Sequence, residues 1–142
     1  MKSISLKVLA VTLLGLSVLP ACNKYEDGPG FSLRTRKARM VNNWKIDRAY
    51  DDGDEVTDNY DNYELDLGKS ESATLRSKGS FAGIDFNVST SGTWRFINKD
   101  EELDLNFEND DFDQVYEILK LENDALWLRE RGDDLELHLI PR

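Results

Sequence analysis

The chain has 142 residues, of which 39% are hydrophobic, and 28 acidic against 18 basic residues give it a net charge of −10. This length allows one domain with a core of its own. A charge of this sign repels the phosphate backbone, so nucleic acid is excluded as a main partner. The single cysteine, Cys22, excludes an internal disulfide bond.

The N-terminus has the pattern of a secretory signal peptide over residues 1–21. Lys2 and Lys7 flank an almost wholly apolar run from Val8 to Leu19, which is shorter than the roughly 20 residues that span a bilayer. The run ends at Leu19-Pro20-Ala21-Cys22, which resembles the lipobox of bacterial lipoproteins. The resemblance implies lipidation of Cys22, and hence a bacterial membrane as a partner through the lipid anchor.

Residues 22–31 are predicted to form a lipidated tether that leads into the domain at 32–142. The tether closes on Gly28-Pro29-Gly30, which interrupts regular structure. The eight residues from Asn23 to Gly30 span at most about 28 Å when extended, so the domain would stay close to its membrane. We therefore expect a lipid-anchored protein of the bacterial cell envelope.

The tether also contains a group that bears on the face of the membrane. Lys24, Glu26 and Asp27 resemble the signals that send lipoproteins to the cell surface in some Gram-negative lineages. This resemblance implies the outer membrane and display on its surface. An ordinary solvated tether explains the same residues, so the periplasmic and surface faces both stay open.

Ser32 to Asn43 is the segment with a helical pattern. Ser32 is a good N-cap residue, and apolar residues recur near a period of 3.6. The helix carries the basic stretch Arg34, Arg36, Lys37 and Arg39. In one interpretation the helix caps an end of the fold and its basic residues meet acidic loops. In the other, they face anionic lipid head groups, each attracted by about 1 kcal/mol.

From Trp44 onward the apolar period changes to two, which is typical of strands with one buried face. The alternating residues are Trp44/Ile46, Tyr63/Leu65/Leu67, Ala73/Leu75, Ile84/Phe86/Val88, Trp94/Phe96, Leu103/Leu105/Phe107, Tyr116/Ile118 or Leu119/Leu121, Leu126/Leu128 and Leu135/Leu137/Leu139. Apolar residues in both phases indicate a bulge near Leu119. Short turns separate the segments, which predicts antiparallel hairpins. We expect an all-β, up-and-down meander that closes into a barrel of eight or nine strands; a two-sheet sandwich is the alternative.

Within this pattern, the chain resembles the lipocalin-like lipoproteins of Gram-negative bacteria. The resemblance rests on the short helix running into Asn42-Asn43-Trp44-Lys45 and on the central strand Gly92-Thr93-Trp94-Arg95-Phe96. It implies a lipocalin-like barrel, closed at one end by the helix, that binds a small hydrophobic ligand. The candidate ligand-binding residues are the aromatics Trp44, Phe86, Trp94, Phe96, Phe107 and Tyr116.

The same aromatics also fit a filled barrel. An eight-stranded barrel is just wide enough to be packed with side chains or to hold one small ligand. If it is packed, the protein is a non-catalytic interaction or scaffold module, and its acidic loops meet a basic partner of unknown identity.

No catalytic or metal site is predicted. His138, the one histidine, alternates with Leu137 and Leu139 and is expected to face solvent. Without a second histidine or a free thiol, nucleophilic machinery and a zinc site are excluded. We expect a protein that is not an enzyme and carries no cofactor.

Acidic residues crowd three predicted connections. The groups are Asp51, Asp52, Asp54, Glu55, Asp58 and Asp61; Asp100, Glu101 and Glu102; and Asp110, Asp111 and Asp113. In a meander the first and last of these groups lie at the same barrel end. None has the spacing of a calcium-binding EF-hand loop, so solvated acidic turns are the expectation.

Overall fold

The computed structural model describes residues 33–81 and 83–142. The predicted signal peptide, Cys22 and the tether lie outside the described residues, as do the side chains at positions 79–81, 85 and 86. In chain order, the helix and strands are α1 Arg36–Met40, β1 Asn42–Asp51, β2 Asp54–Glu55, β3 Glu64–Leu67, β4 Ser72–Phe81, β5 Ile84–Ile97, β6 Glu102–Phe107, β7 Gln114–Leu121, β8 Leu126–Glu130 and β9 Glu136–Pro141. Two short 3-10 helices span Thr57–Asn59 and Asp110–Phe112.

The strands form one antiparallel sheet that closes on itself. From β3 to β9 each strand pairs with the next along the chain, and β1 pairs with both β3 and β9. Eight strands therefore make a closed up-and-down barrel, and β2 is an extra strand beside β1. The predicted all-β meander, its closure and its strand number are confirmed.

Alternate strand residues point inward and build one apolar core. Trp44 is 0% and Trp94 is 1% exposed, and their indole N–H groups donate to the carbonyl oxygens of Met40 and Gly68 at 2.9 Å. A void large enough for water would leave accessible surface on the residues that line it. Near-zero exposure therefore means that protein atoms fill the space around both indoles.

The helix α1 crosses one end of the barrel, which we call the helix end. Thr35 is its N-cap and accepts a hydrogen bond from the Ala38 N–H at 3.1 Å. The helix thus begins at Arg36, whereas the sequence predicts a start at Ser32, which lies outside the described residues. It ends at Met40 because β1 already begins at Asn42. No helix in the described ranges is long and apolar enough to cross a bilayer.

Three basic residues in or just before α1 contact the turns at the helix end. Arg36 pairs with Asp100 at 3.2 Å, between β5 and β6, and Lys37 pairs with Glu71 at 2.7 Å, between β3 and β4. Arg34 donates to Asn123, between β7 and β8, at 3.2 Å. These contacts support the interpretation in which the helix caps the barrel.

The opposite end, which we call the loop end, contains the connections 51–63, 108–113 and 131–135. In the first, Asp52 and Gly53 both have positive φ, 48° and 85°, and β1 and β2 pair directly across them. Two positive φ values in a two-residue hairpin turn are typical of type I′. The acidic groups at 51–61 and 110–113 share this end, as predicted, whereas Asp100–Glu102 lie at the helix end.

Two strands carry bulges. The β7–β8 register shifts between Ile118 and Lys120, which confirms the predicted bulge at Leu119. The β1–β9 register shifts between Ile46 and Arg48. The sequence does not predict the second bulge, since Asp47 falls in the phase of an ordinary outward-facing residue.

The outer wall beside these bulges holds an aromatic stack. The His138 ring lies flat on Trp127, with centroids 4.0 Å apart, and meets Tyr50 edge-on. Lys120 Nζ lies 4.1 Å from the Trp127 ring centroid. His138 faces outward as expected, but its side chain is only 15% exposed, because residues of neighbouring strands cover it.

Candidate binding surface

The structure places most of the predicted ligand-binding aromatics in the packed core. Trp44, Trp94, Phe107 and Tyr116 are 0%, 1%, 3% and 6% exposed. Phe96 is partly buried and meets Trp94 edge-on, with ring centroids 5.5 Å apart. The Phe86 side chain lies outside the described ones. An apolar ligand that touched the four buried rings would have to displace protein atoms.

Toward the loop end the interior becomes polar. Tyr63 precedes β3 and Tyr116 lies on β7, and these strands stand four positions apart in either direction around the barrel. The hydroxyls of Tyr116 and Tyr63 share a hydrogen bond. Because opposite strands supply the two residues, this hydrogen bond bridges the barrel interior.

Burial of the two hydroxyls disfavours their anionic forms. Burial raises the pKa of Tyr63 to about 12, although the hydrogen bond with Tyr116 partly offsets this. Burial also raises the pKa of Tyr116 well above its ordinary value, and the neighbouring Tyr63 adds to the effect. The bridge is thus a neutral hydrogen-bonding pair at physiological pH.

A carboxylate lies beside the tyrosine bridge. Glu130 is the direct cross-strand partner of Tyr116 and shares the inward phase of Leu126 and Leu128. Burial raises its pKa, as does the charge of Asp133, while a hydrogen bond with Gln114 lowers it. The surroundings of Glu130 therefore disfavour its charged form.

Tyr60 completes this group from the loop after the first 3-10 helix. Its ring meets that of Tyr63 edge-on, with centroids 6.5 Å apart. Burial raises the Tyr60 pKa, followed by the negative charge of Glu130. Tyr60, Tyr63, Gln114, Tyr116 and Glu130 are referred to below as the tyrosine–carboxylate cluster.

Sequence reasoning predicts only Tyr116 of this cluster. The missed signal is the phase of Glu130, which continues the inward alternation of Leu126 and Leu128. A glutamate that ends an apolar alternation is easily assigned to the following turn. Its electrostatic effect on Tyr63 depends on barrel closure, because β8 and β3 lie three strands apart around the closed barrel.

The loop end is also strongly acidic. Acidic residues at the cluster or in its three connections are Asp51, Asp52, Asp54, Glu55, Asp58, Asp61, Glu108, Asp110, Asp111, Asp113, Glu130, Asp133 and Asp134. Within residues 33–81 and 83–142, no group of three or more acidic, histidine or cysteine side chains has the arrangement of a metal site. The arrangement suits attraction of positive charge.

Fold and surface together define a small closed β-barrel with a packed apolar core, a helical cap and an acidic loop end that contains tyrosines. No family model matches the chain, and no curated protein does. The chain is similar to a solved structure of a DUF4847 family protein from Bacteroides vulgatus ATCC 8482, with a TM-score of 0.50 and 14% identity. The match covers 73% of this chain and 94% of that one. At this identity the similarity concerns the fold alone.

Proposed function

We propose that the protein is a lipid-anchored, non-catalytic binding module of the bacterial cell envelope, related to lipocalin-like lipoproteins. Its barrel core is structural, and its acidic loop end docks a positively charged partner protein. The observation that carries this proposal is the segregation of charge. Three connections bring their acidic residues to one end, whereas the basic residues of α1 occupy the other.

The packed core supports a binding role outside the barrel. Trp44, Leu65 and Leu139 are each 0% exposed, so their surfaces are used in packing. Binding energy has to come from surface groups instead. Opposite charges on a partner would steer its approach to the loop end and fix its orientation there.

The anchor is the second part of the proposal. A lipid on Cys22 would be inserted in the outer membrane, and the short tether would hold the domain beside that membrane at the cell surface. Cys22→Ala is expected to abolish metabolic lipid labelling and to release the protein from membranes. Unchanged membrane retention would refute the anchor, and protease treatment of whole cells would separate the surface face from the periplasmic one.

Photo-crosslinking in intact cells tests the docking surface. A crosslinker in the connection 108–113 should trap a specific protein. The variant with Asp58→Asn and Asp61→Asn should lose most of this product, because both acids are exposed at the loop end. The charge-matched control is Glu101→Gln with Asp124→Asn at the helix end, which should keep the product. Equal loss in the two variants would contradict a docking role for the loop end.

Binding of a small hydrophobic ligand is the second candidate function. The half-buried aromatics at the loop end, Tyr60, Tyr63 and Phe112, favour it, since they pack against the core without full burial. Organic extraction of the purified protein and tryptophan quenching by fatty acids test it. Saturable tryptophan quenching would support ligand binding in addition to docking. An extract that contains no ligand, together with quenching that does not saturate, would reject it.

A further inference from the structure

We propose that the outer edge of β5 docks an extended, basic segment of the partner protein, which adds to the sheet as a further strand. This inference rests on the proposed function and specifies how the loop end holds its partner. The observation that carries it is a stretch of β4 and β5 in which the two strands pair with each other alone.

The β4–β5 hairpin reaches past its neighbouring strands at the loop end. The last β4 residue that pairs with β3 is Arg76, and the first β5 residue that pairs with β6 is Gly92. Beyond them, residues 77–81 pair only with residues 84–88 among the strands of the described chain. At about 3.4 Å per residue, these five pairs extend over about 17 Å. Residues 77–81 and 84–91 are called the hairpin arm below.

The register shows which backbone groups of the arm lack a strand partner. Along an antiparallel strand, residues alternately direct their N–H and C=O groups to one neighbouring strand and to the other. The Ser91 carbonyl accepts a hydrogen bond from the Glu108 N–H at 2.8 Å, on the side away from β4. Ser89 and Asn87 share the phase of Ser91, so their N–H and C=O groups point to the same outer edge. In the part of the chain that the structure describes, no strand pairs with them there.

The two edges of the arm differ in protection. Lys78 is exposed on the β4 edge, and a lysine on an edge strand deters the addition of another strand. Its cross-strand partner is Asn87, and residues 84–91 contain no lysine, arginine or proline. Ile84 on β5 is 71% exposed, so an added strand would give it an apolar or β-branched neighbour. The β5 edge is therefore the open one.

Acidic residues adjoin the base of the β5 edge. The Asn109 N–H donates to Thr90 Oγ1 at 3.4 Å, so the connection 108–113 begins where the arm leaves the barrel. Glu108, Asp110 and Asp111 in this connection are exposed. A segment that pairs with β5 would gain affinity from backbone hydrogen bonds, and its lysines or arginines would meet opposite charge at this base.

A second copy of this chain fits the same edge less well. Symmetric pairing of two β5 edges would bring together the acidic loop ends of two molecules, each with a net charge of −10. Like charges across an interface oppose association. The charge of the loop end thus favours a basic partner as the occupant.

Hydrogen exchange on the full chain tests this inference, with a peptide of alternating lysine and threonine as the probe. At a peptide concentration of about ten times Kd, exchange of the Asn87 and Ser89 amides should slow roughly tenfold. The amide of Lys78, on the other edge, should keep its rate. The same peptide with every backbone amide N-methylated keeps its charge but cannot donate as a strand, and it should protect neither edge. Equal protection of Lys78 and Asn87, or equal protection by the N-methylated peptide, would overturn the inference.

A matched pair of proline variants tests the edge in cells. Proline removes an N–H group, and at an outward edge position it leaves the hydrogen bonds within the hairpin in place. Asn87→Pro should weaken peptide binding about tenfold and reduce the crosslinked product, whereas Lys78→Pro should keep both. Equal losses in the two variants would overturn the inference.

A charge pair at the same position covers the case in which proline unfolds the arm, which the melting temperature reports. Asn87→Lys should weaken binding of the basic peptide, since it places a like charge at the edge, and Asn87→Glu should keep it. Equal binding by these two variants would contradict the docking edge.

The remaining outcomes separate this inference from the proposed function. A crosslinked partner that Asn87→Pro keeps fully, but that the variant with Asp58→Asn and Asp61→Asn loses, would overturn strand addition and leave the docking function intact. A dimer of this chain that Asn87→Pro disrupts would make a second copy the occupant and overturn the inference. Absence of any crosslinked partner in the wild type would refute the docking function, and this inference with it.

Discussion

The two ends of the barrel are built in opposite ways. At the helix end, α1 covers the opening, its cations pair with acids in the turns, and the indoles of Trp44 and Trp94 donate to backbone carbonyls beneath it. At the loop end, no acidic residue of the three connections forms an ion pair with a lysine or arginine of the described chain, and the interior holds hydroxyls and the carboxylate of Glu130. The helix end pairs its exposed cations internally, although Arg39 Nε of α1 is buried without a hydrogen-bond partner, whereas at the loop end burial raises the pKa of several groups.

This difference indicates a division of roles. Groups whose pKa values are displaced by burial cluster at functional sites more often than elsewhere. In the described residues, the groups whose pKa is raised chiefly by burial are Tyr60, Tyr63, Tyr116 and Glu130, all at the loop end. The raised pKa values of Arg48 and Arg76 come chiefly from hydrogen bonds with Tyr50 and Asp66 instead. We infer that the helix end contributes stability and the loop end contributes binding.

The largest expected effect is on the core beneath the helix. Trp44→Ala should lower the free energy of unfolding by about 3–5 kcal/mol, because it leaves a void among fully packed neighbours. Urea denaturation measures this loss. Trp127→Ala removes the same side chain from the outer wall, where it is partly exposed, and should lower stability by only about 1 kcal/mol.

A hollow barrel predicts a different result for Trp44. If the interior contained a ligand cavity, the Trp44 side chain would line it and make fewer contacts. Trp44→Ala would then lower the free energy of unfolding by less. Equal losses for Trp44→Ala and Trp127→Ala would therefore contradict the filled core.

The next effect concerns alkaline pH and the tyrosine bridge. The folded-state pKa of Tyr63 is about 12, above the value of about 10 in an unfolded chain. The folded state therefore holds the proton more tightly, and stability should fall as pH rises from 10 to about 12, by roughly 2 kcal/mol for this residue. Denaturation midpoints across that range, together with tyrosinate absorbance, measure the loss.

Two variants check the source of this alkaline loss. Tyr63→Phe should flatten the decline between pH 10 and 12, since it removes the titrating hydroxyl. Tyr50→Phe, on the outer wall, should leave the slope unchanged. A slope that is identical in both variants would show that the bridge is not what titrates.

The smallest effect is expected at the pairing between α1 and the β3–β4 turn. Glu71 has a φ of 63°, which favours glycine, and its carboxylate pairs with Lys37. Glu71→Ala should lower stability by about 1 kcal/mol or less, since both side chains are about half exposed. Glu71→Gly should recover part of that loss by relieving the backbone. A larger loss for glycine than for alanine would contradict this account of the turn.

Much of the fold could be predicted because the signals are local. Alternation such as Leu103, Leu105 and Phe107 identifies strands, and Asp52-Gly53 identifies a hairpin turn, within a few residues of sequence. The bulge at Leu119 is visible for the same reason. The end of α1 was harder, because Met40 and Val41 fit either the helix or the start of β1.

The candidate surface was predicted only in part. The gathering of acidic loops follows from the meander and could be predicted. The Tyr63–Tyr116 hydrogen bond, Glu130 beside it and the His138–Trp127 stack arise from strand pairing or barrel closure, which join residues distant in sequence. The six predicted aromatics show why residue type alone is a poor guide to a ligand site. The same alternation places an aromatic ring inward whether it fills a packed core or lines a ligand cavity.

The central claim is that the barrel interior is filled and that binding takes place at the loop end. NMR chemical-shift mapping of the full chain tests it most directly, with oligolysine in one titration and a fatty acid in another. We predict that oligolysine shifts signals of Asp58, Asp61 and Asp111, and that the indole N–H signals of Trp44 and Trp94 stay unchanged in both titrations. Saturable shifts of these two indoles on addition of the fatty acid would contradict the account.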